Sequence, residues 1–224
     1  MALNVIILGP PGAGKGTQAA RFAQARGIPK ISTGDMLREA VKAGTEIGRH
    51  AEAIMKGGGL VNDEVMIGIV RERLDRPDAR AGFILDGFPR TVAQAVALEK
   101  LMVGRDPLIV IDIAVPEDEL VRRLSTRLVC QDCGTNAEGL ETALATARCA
   151  RCGGKLMQRA DDNDATVLER LKVYRRDTEP LVEYYRARPT FRAVNGAHAA
   201  DRVAAELAEA VGSASSDPVG GATR

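Results

Sequence analysis

Two stretches of the chain carry chemistry in their residue types and spacing. The first is Gly9-Pro10-Pro11-Gly12-Ala13-Gly14-Lys15-Gly16-Thr17. Between a strand and the start of a helix, such glycines let successive backbone N–H groups turn inward around phosphate oxygens, and the helix end adds its positive dipole. Lys15 supplies a mobile positive charge for the terminal phosphates. The usual spelling places Ser or Thr directly after the lysine as a magnesium ligand; here Gly16 intervenes and the hydroxyl comes at Thr17. The second stretch is Cys130-x2-Cys133 and Cys149-x2-Cys152, with fifteen residues between the pairs. That is zinc-ribbon spacing, two knuckles converging on one tetrahedral ion, with a redox dithiol as the alternative. Four thiolates leave no open coordination position, so the ion is expected to be structural. A segment of about thirty residues cannot build a core of its own, and a metal substitutes for one.

The elements that must position these residues read as strands alternating with helices. Leu3–Leu8 is a short apolar run with the length of a strand buried on both faces. Thr17–Arg26 is helical in pattern, with Gly27 as its stop. Strands are expected at Ile28–Ile31, Phe83–Leu85, Leu108–Val115 and Phe191–Val194. Helices are expected from Ser32 or Thr33 through Val41, over Thr45–Met55, Asp63–Leu74, Thr91–Met102, Glu117–Leu128 and Ala199–Val211, and over Asp164–Arg186 with a break near Pro180. This rhythm predicts an α/β fold with a largely parallel sheet. The segment from Val129 to Arg159 interrupts it without sustained periodicity, and the Gly/Ala/Ser-rich tail from Gly212 to Arg224 reads as disordered.

Composition narrows the class. The formal net charge is +1, with 27% charged and 3% aromatic residues and no Trp, so neither a basic field nor a stacking surface argues for nucleic acid. No apolar run approaches the roughly 20 residues that span a bilayer. Met1-Ala2-Leu3-Asn4 carries no basic leader, and with four closely paired cysteines this makes the cytoplasm the expected location.

The spelling of the phosphate loop resembles that of the nucleoside monophosphate kinases, adenylate kinases above all. Three more blocks agree, in the family's order: Ser32-Thr33-Gly34-Asp35-Met36-Leu37-Arg38; Asp86-Gly87-Phe88-Pro89-Arg90 with Gln94; and Arg159-Ala160-Asp161-Asp162 with Arg170. The resemblance implies a P-loop NTPase-type parallel sheet flanked by helices. Its core would comprise residues 1–31, 62–127 and 162–211, with an AMP-binding helical insert at 32–61 and a small zinc lid at 128–161. It implies phosphoryl transfer from Mg-ATP to AMP, with ATP, AMP and ADP as small-molecule partners, no nucleic acid or membrane partner, and a monomer. By position, Gly12, Ala13, Gly14, Lys15, Gly16 and Thr17 would hold ATP, joined by Arg127 and His198. Thr33, Arg38, Gly59, Leu60, Val61, Gly87, Phe88, Pro89, Arg90 and Gln94 would hold AMP, with Arg159 and Arg170 reaching its phosphate. Lys15, Arg90, Arg127, Arg159, Arg170 and Arg123 would be the catalytic cations, and Asp86 would hold Mg2+ through water. Cys130, Cys133, Cys149 and Cys152 would hold Zn2+, as in many bacterial lids. Such lids usually carry an aromatic shortly after the first cysteine pair, where this chain has Thr135-Asn136-Ala137.

The chemistry suits those residue types. Phosphoryl transfer crowds negative charge into one place, so catalysis is mainly positioning and cationic stabilisation. Arginine binds phosphate through a planar fork. A phosphate monoester with a second pKa near 6 is largely a dianion at neutral pH and needs no general base. For Asp86 a turn or capping role is the alternative; for Arg123 and Arg170, ion pairing along a helix; for Gly57-Gly58-Gly59, a turn where backbone approaches AMP or simply a flexible one. Another nucleoside monophosphate as acceptor, a zinc-ribbon nucleic-acid ATPase and a non-catalytic nucleotide sensor are the competing functions.

Overall fold

The structure, a computed structural model, describes residues 2–137, 147–159 and 161–216. Five parallel strands form the central sheet: β1 (Leu3–Leu8), β2 (Lys30–Ser32), β3 (Gly82–Asp86), β4 (Leu108–Ala114) and, last in the chain, β7 (Phe191–Asn195), in the order β2-β3-β1-β4-β7. The strand carrying the phosphate loop lies in the middle, with Ile6 opposite Leu85 on one side and Val110 on the other. Because every strand runs the same way, the loops after β1, β2, β3 and β4 emerge along one edge, where α/β folds place their ligands.

Alternation along the strands divides the core in two. Ile6, Leu8, Leu85 and Val110 face one layer. There they meet α4 (Asp63–Leu74), α5 (Val92–Leu101) and α8 (Pro180–Arg186) through Val70, Leu98 and Tyr185. Val5, Ile7, Ile84 and Ile111 face the other, against α1 (Lys15–Arg26), α6 (Glu117–Ser125) and α9 (Ala200–Ser216) through Phe22, Leu124 and Leu207. Nearly every one of these side chains is aliphatic and fully buried, as an aromatic-poor sequence requires.

Two excursions leave this core. Between β2 and α4, α2 (Thr33–Lys42) and α3 (Glu46–Lys56) form a helical pair. Ser32 Oγ accepts from Asp35 N (3.3 Å) and Thr45 Oγ1 from Gly48 N (3.1 Å), so each helix starts on a hydroxyl cap. The Gly57–Gly59 run turns the chain back against α7 (Asp164–Val173): a Cβ on Gly58 would stand 3.1 Å from Arg170 Cγ and 3.2 Å from Thr166 O. This close approach is therefore between backbone and helix within the protein. The second excursion holds β5 (Leu128–Cys130) and β6 (Leu156–Gln158), an antiparallel pair with Cys130 opposite Leu156.

Several boundaries differ from the sequence expectation, some by only one or two residues, as in the second strand, which runs Lys30–Ser32 rather than Ile28–Ile31, and at four places the difference has a visible local reason. The helix expected to reach Leu128 ends at Ser125, where Ser125 and Thr126 hydroxyls both donate to Arg122 O (3.0 and 2.9 Å), and β5 begins in its place. The helix expected over 164–186 with a break near Pro180 is interrupted there, its first part ending at Val173. A widened turn, Tyr174–Thr178, follows, closed by Glu179 N–H donating to Tyr174 O (2.8 Å), and Pro180 opens α8 rather than breaking it. The helix expected to stop at Val211 continues through Ser216, because Ala214 is 1% exposed and extends the apolar stripe of Val203, Leu207 and Val211. The expected disordered tail from 212 is thus helical over 212–216, and 217–224 lie outside the described residues. Finally, the segment that showed no periodicity contains two three-residue strands, too short to leave a pattern.

Candidate active site

The loop after β1 enters α1 through Gly14, which takes the left-handed conformation (φ 89°) open to glycine. Lys15 Nζ donates to Gly9 O (2.7 Å) and Pro10 O (2.8 Å), so the ammonium lies across the mouth of its own loop. Desolvation there pushes its pKa down to about 7, opposed by Asp86 and reinforced by Arg90, Arg170 and Arg127. Those four residues are therefore its electrostatic neighbours. At Gly16, which departs from the usual motif spelling, a Cβ would lie 3.2 Å from Asp86 Oδ2 and in ordinary contact, at 3.8 Å, with Asn136 Nδ2. The loop, the end of β3 and the first cysteine knuckle meet at this glycine. Asp86 also faces Lys30 Nζ at 3.7 Å.

Beyond Asp86, Thr33 Oγ1 donates to Gly87 O (2.7 Å) and Arg90 Nε donates to the same carbonyl (2.9 Å), drawing α2 and the 87–90 segment together. Phe88, 1% exposed, is a core side chain, and the Phe88–Pro89 peptide is cis. Gln94, 2% exposed, is held by Arg90 N and Asp63. Arg38 pairs with Asp35, which also pairs with Lys30 (3.1 Å); the two cations outweigh burial and hold the Asp35 carboxyl down to about 2. Gly59 N–H closes on Ile54 O (3.0 Å), Leu60 is partly exposed, and Val61 packs into the first core layer.

Facing the loop is a cluster of arginines assembled on two aspartates. Asp162, with a side chain fully shielded from solvent, accepts from Arg127 Nε (2.6 Å) and Nη2 and from Arg170 Nη1 (2.8 Å). Asp161 accepts from Arg159 Nε (3.0 Å) and Nη2 (2.8 Å) and lies 3.3 Å from Arg170 Nη1. Arg159 and Arg170, overcoming burial, hold the Asp161 carboxyl down to about 2. Arg90 completes the group, with Arg38 and Arg159 lowering its pKa and Asp86 and Asp161 raising it, after burial as the largest cause. Sequence reasoning named these arginines and gave no role to the aspartates; the signal was their adjacency to Arg159.

Arg123 and His198 stand apart from this cluster. Arg123 Nε donates to Glu119 Oε1 (2.6 Å) on α6, and His198 Nδ1 meets Glu206 Oε1 at 2.9 Å. Both line a cleft of about 390 Å³ that opens beside Gly14 and Thr17.

The four cysteine sulfurs lie within 4.8 Å of one another, with Cys130–Cys152 at 3.4 Å and Cys133–Cys149 at 3.7 Å. A tetrahedral ion at a Zn–S distance of about 2.3 Å needs sulfurs about 3.8 Å apart, so the donor set and its spacing fit zinc. Each knuckle turns on a glycine N–H: Gly134 donates to Cys130 O (3.0 Å) and Gly153 to Cys149 O (2.8 Å).

A parallel sheet with a glycine-rich cradle at its carboxyl edge, faced by a ring of guanidinium groups, defines a P-loop enzyme that transfers phosphoryl groups between bound phosphates. Comparison with known proteins places the chain more closely. The adenylate kinase family profile matches residues 7–190. The adenylate kinase of Moorella thermoacetica is 51% identical over 213 residues, covering 94% of this chain and 98% of that one. That of Archaeoglobus fulgidus is 52% identical over 197 residues, covering 87% and 91%. That of Rhizobium etli is 48% identical over 209 residues, covering 92% and 97%. The chain belongs to the adenylate kinase family, and it is a nucleoside monophosphate kinase.

Proposed function

We propose that the protein catalyses ATP + AMP = 2 ADP with the donor phosphates in the loop of residues 12–17 and the acceptor phosphate among Arg38, Arg90, Arg159 and Arg170. One observation carries this reading: Lys15 lies near enough to Arg90, Arg127 and Arg170 for their charges to act on it, and Asp86 acts on both Lys15 and Arg90. A transferring phosphoryl group there meets positive charge at every equatorial oxygen. The AMP phosphate attacks as a dianion, so no base is needed. Nucleotide phosphates entering the loop give Lys15 an alternative to Gly9 O and Pro10 O and restore its charge. Mg2+ arrives with ATP and neutralises charge on the donor phosphates. Asp86, at the carboxyl end of β3, is placed to hold its water shell, and Thr17 is the hydroxyl nearest the motif position.

The cleft lined by Arg123, Thr17 and His198 suits the donor base, since it opens directly from the loop. Residues 32–61 would act as the acceptor insert and 128–161 as a lid whose four cysteines hold Zn2+ in place of a core. Excluding water is then the purpose of closure, because water would otherwise accept the phosphoryl group. On this reading the protein is a monomer of the cytoplasm, where a reducing environment keeps the four cysteines available to a metal.

The test is a coupled assay for ADP with Mg-ATP fixed and AMP, UMP, CMP and GMP offered in turn. Rapid turnover with AMP alone supports the reading. A different preferred acceptor overturns the substrate, and acceptor-independent hydrolysis overturns the transfer.

A further inference from the structure

Gln94, which the family resemblance places against AMP and which we read as facing the acceptor base, is unusual in that the protein has already taken one half of each end of its amide. Its Oε1 accepts from Arg90 N–H at 2.7 Å, and its Nε2 donates to Asp63 Oδ1 at 2.7 Å. An amide oxygen has two lone pairs and an amide nitrogen two hydrogens, so one acceptor site and one donor site remain. Asp63 is itself oriented: its Oδ2 accepts from Thr91 Oγ1 (2.8 Å), and the same hydroxyl accepts from Gln94 N–H (3.1 Å) as the cap of α5. The arrangement is closed, and Gln94 is only 2% exposed.

Left free, a glutamine amide is a poor discriminator. Adenine offers an acceptor at N1 and a donor at N6. Hypoxanthine and guanine offer the reverse, a donor at N1 and an acceptor at O6. A half-turn about the last side-chain bond lets one glutamine satisfy either pattern. Here that half-turn is opposed at both ends. It would set the NH2 group against the Arg90 N–H, donor to donor, and the carbonyl oxygen against the Asp63 carboxylate, acceptor to acceptor.

We propose that Asp63 is a specificity-positioning residue: by locking the orientation of the Gln94 amide, it makes the acceptor site select a 6-aminopurine over a 6-oxopurine. The inference rests on the reading that Gln94 faces the acceptor base. Asp63 touches no substrate and acts through Gln94 alone. Because a mismatch leaves buried polar groups facing like partners, the penalty falls on the wrong base rather than on phosphate chemistry.

The test compares kcat/KM for AMP and IMP, with Mg-ATP as donor, in the full chain and its variants. In Asp63→Asn, Thr91 still donates to the side-chain oxygen, which turns the new NH2 toward Gln94 and favours the flipped amide. The AMP:IMP ratio is expected to fall at least about tenfold, chiefly through the KM of the two acceptors. Asp63→Glu, which keeps an acceptor-only group, is expected to retain more of the ratio than Asp63→Asn. Should Asp63→Asn fail to fold, Thr91→Val, which removes the hydroxyl that orients the carboxylate, carries the same expectation in weaker form. An unchanged ratio in Asp63→Asn together with a collapsed ratio in Gln94→Ala overturns the lock and keeps the base reading. An unchanged ratio in Gln94→Ala overturns the base reading and the lock with it.

Discussion

Asp162 is the residue whose loss the structure makes easiest to quantify. Its carboxylate is fully shielded and accepts from both Arg127 and Arg170, whose side chains are 19% and 18% exposed. Asp162→Asn keeps the shape, removes the charge and turns an NH2 group toward one guanidinium. Breaking a buried charged pair on one side costs about 3–5 kcal/mol. The partly exposed guanidinium groups can recover some hydration, which places the expected loss near the lower figure, about 3 kcal/mol. For a chain of this size about 2–4 °C of Tm accompanies each kcal/mol, so the melting temperature should drop by about 6–12 °C. The destabilisation should depend on ligand. Phosphate oxygens in the proposed site offer the freed arginines new partners, so at saturating Mg-ADP the gap between wild type and variant should shrink by about half or more. The measurement is a thermal melt of both proteins with and without Mg-ADP. A drop of under 2 °C without nucleotide would refute the claim that Asp162 assembles the cluster. An equal gap with and without nucleotide would refute the claim that these arginines meet phosphate.

Three further outcomes follow from the same geometry. Lys15 sits at about 7 in the free protein and should return toward its ordinary value beside phosphates. Nucleotide binding at pH 8 should therefore take up about 0.9 proton, read by calorimetry in buffers of different ionisation enthalpy, and Lys15→Met should abolish the uptake. The Asp161 carboxyl is held at about 2 against an unfolded value of 3.8. Its contribution, about 2 kcal/mol, is present above pH 4 and lost as pH falls from 4 toward 2; Asp161→Asn should flatten that acid limb in a circular-dichroism titration. A Cβ on Gly154 would stand 2.8 Å from Cys130 Sγ and closer still to Asp132. Gly154→Ala should accordingly lower zinc content by elemental analysis, while the melting of the sheet stays near wild type.

Much of this arrangement was legible in residue order. The phosphate loop declares itself because its backbone geometry demands glycine, and glycine is visible in a sequence. The parallel sheet declares itself through apolar runs such as Leu108–Ala114, buried on both faces with no alternation to mask them. The strands β5 and β6 did not, because three residues cannot establish a period and their pairing rests on the knuckles around the cysteines. The placement of Arg123 was legible only as the alternative to a catalytic role, ion pairing along a helix. It lies four residues before Arg127, which on a continuing helix would put both on one face. The helix ends at Ser125, so Arg127 turns toward Asp162 while Arg123 stays on α6 with Glu119. Asp63 was hidden because its role passes through a side chain thirty-one residues away.

The carboxylates among these cations bear on how a phosphate site can exist before its phosphates arrive. Lys15, Arg90, Arg127, Arg159 and Arg170 would repel one another strongly if left without counter-charge. The chain offsets this in two ways that differ in reach. Asp35 lies three residues from Arg38, and Asp161 two from Arg159, so each has one partner in its own short segment, besides Lys30 for Asp35 and Arg170 for Asp161 outside it. In the proposed reaction the insert and the lid can then each move with a cation and its local counter-ion together. Asp162 instead ties Arg127, just before β5, to Arg170 on α7, and so would fix the end of the proposed lid that joins the core rather than its tip. Carboxylates in such a place weaken phosphate binding, since they compete for the same guanidinium groups. An enzyme whose two products are both polyphosphates gains from that weakening: tight binding shared by substrate and product lowers KM and leaves release slow. In the proposed site the aspartates would thus hold the cations in position and loosen their grip on what is made.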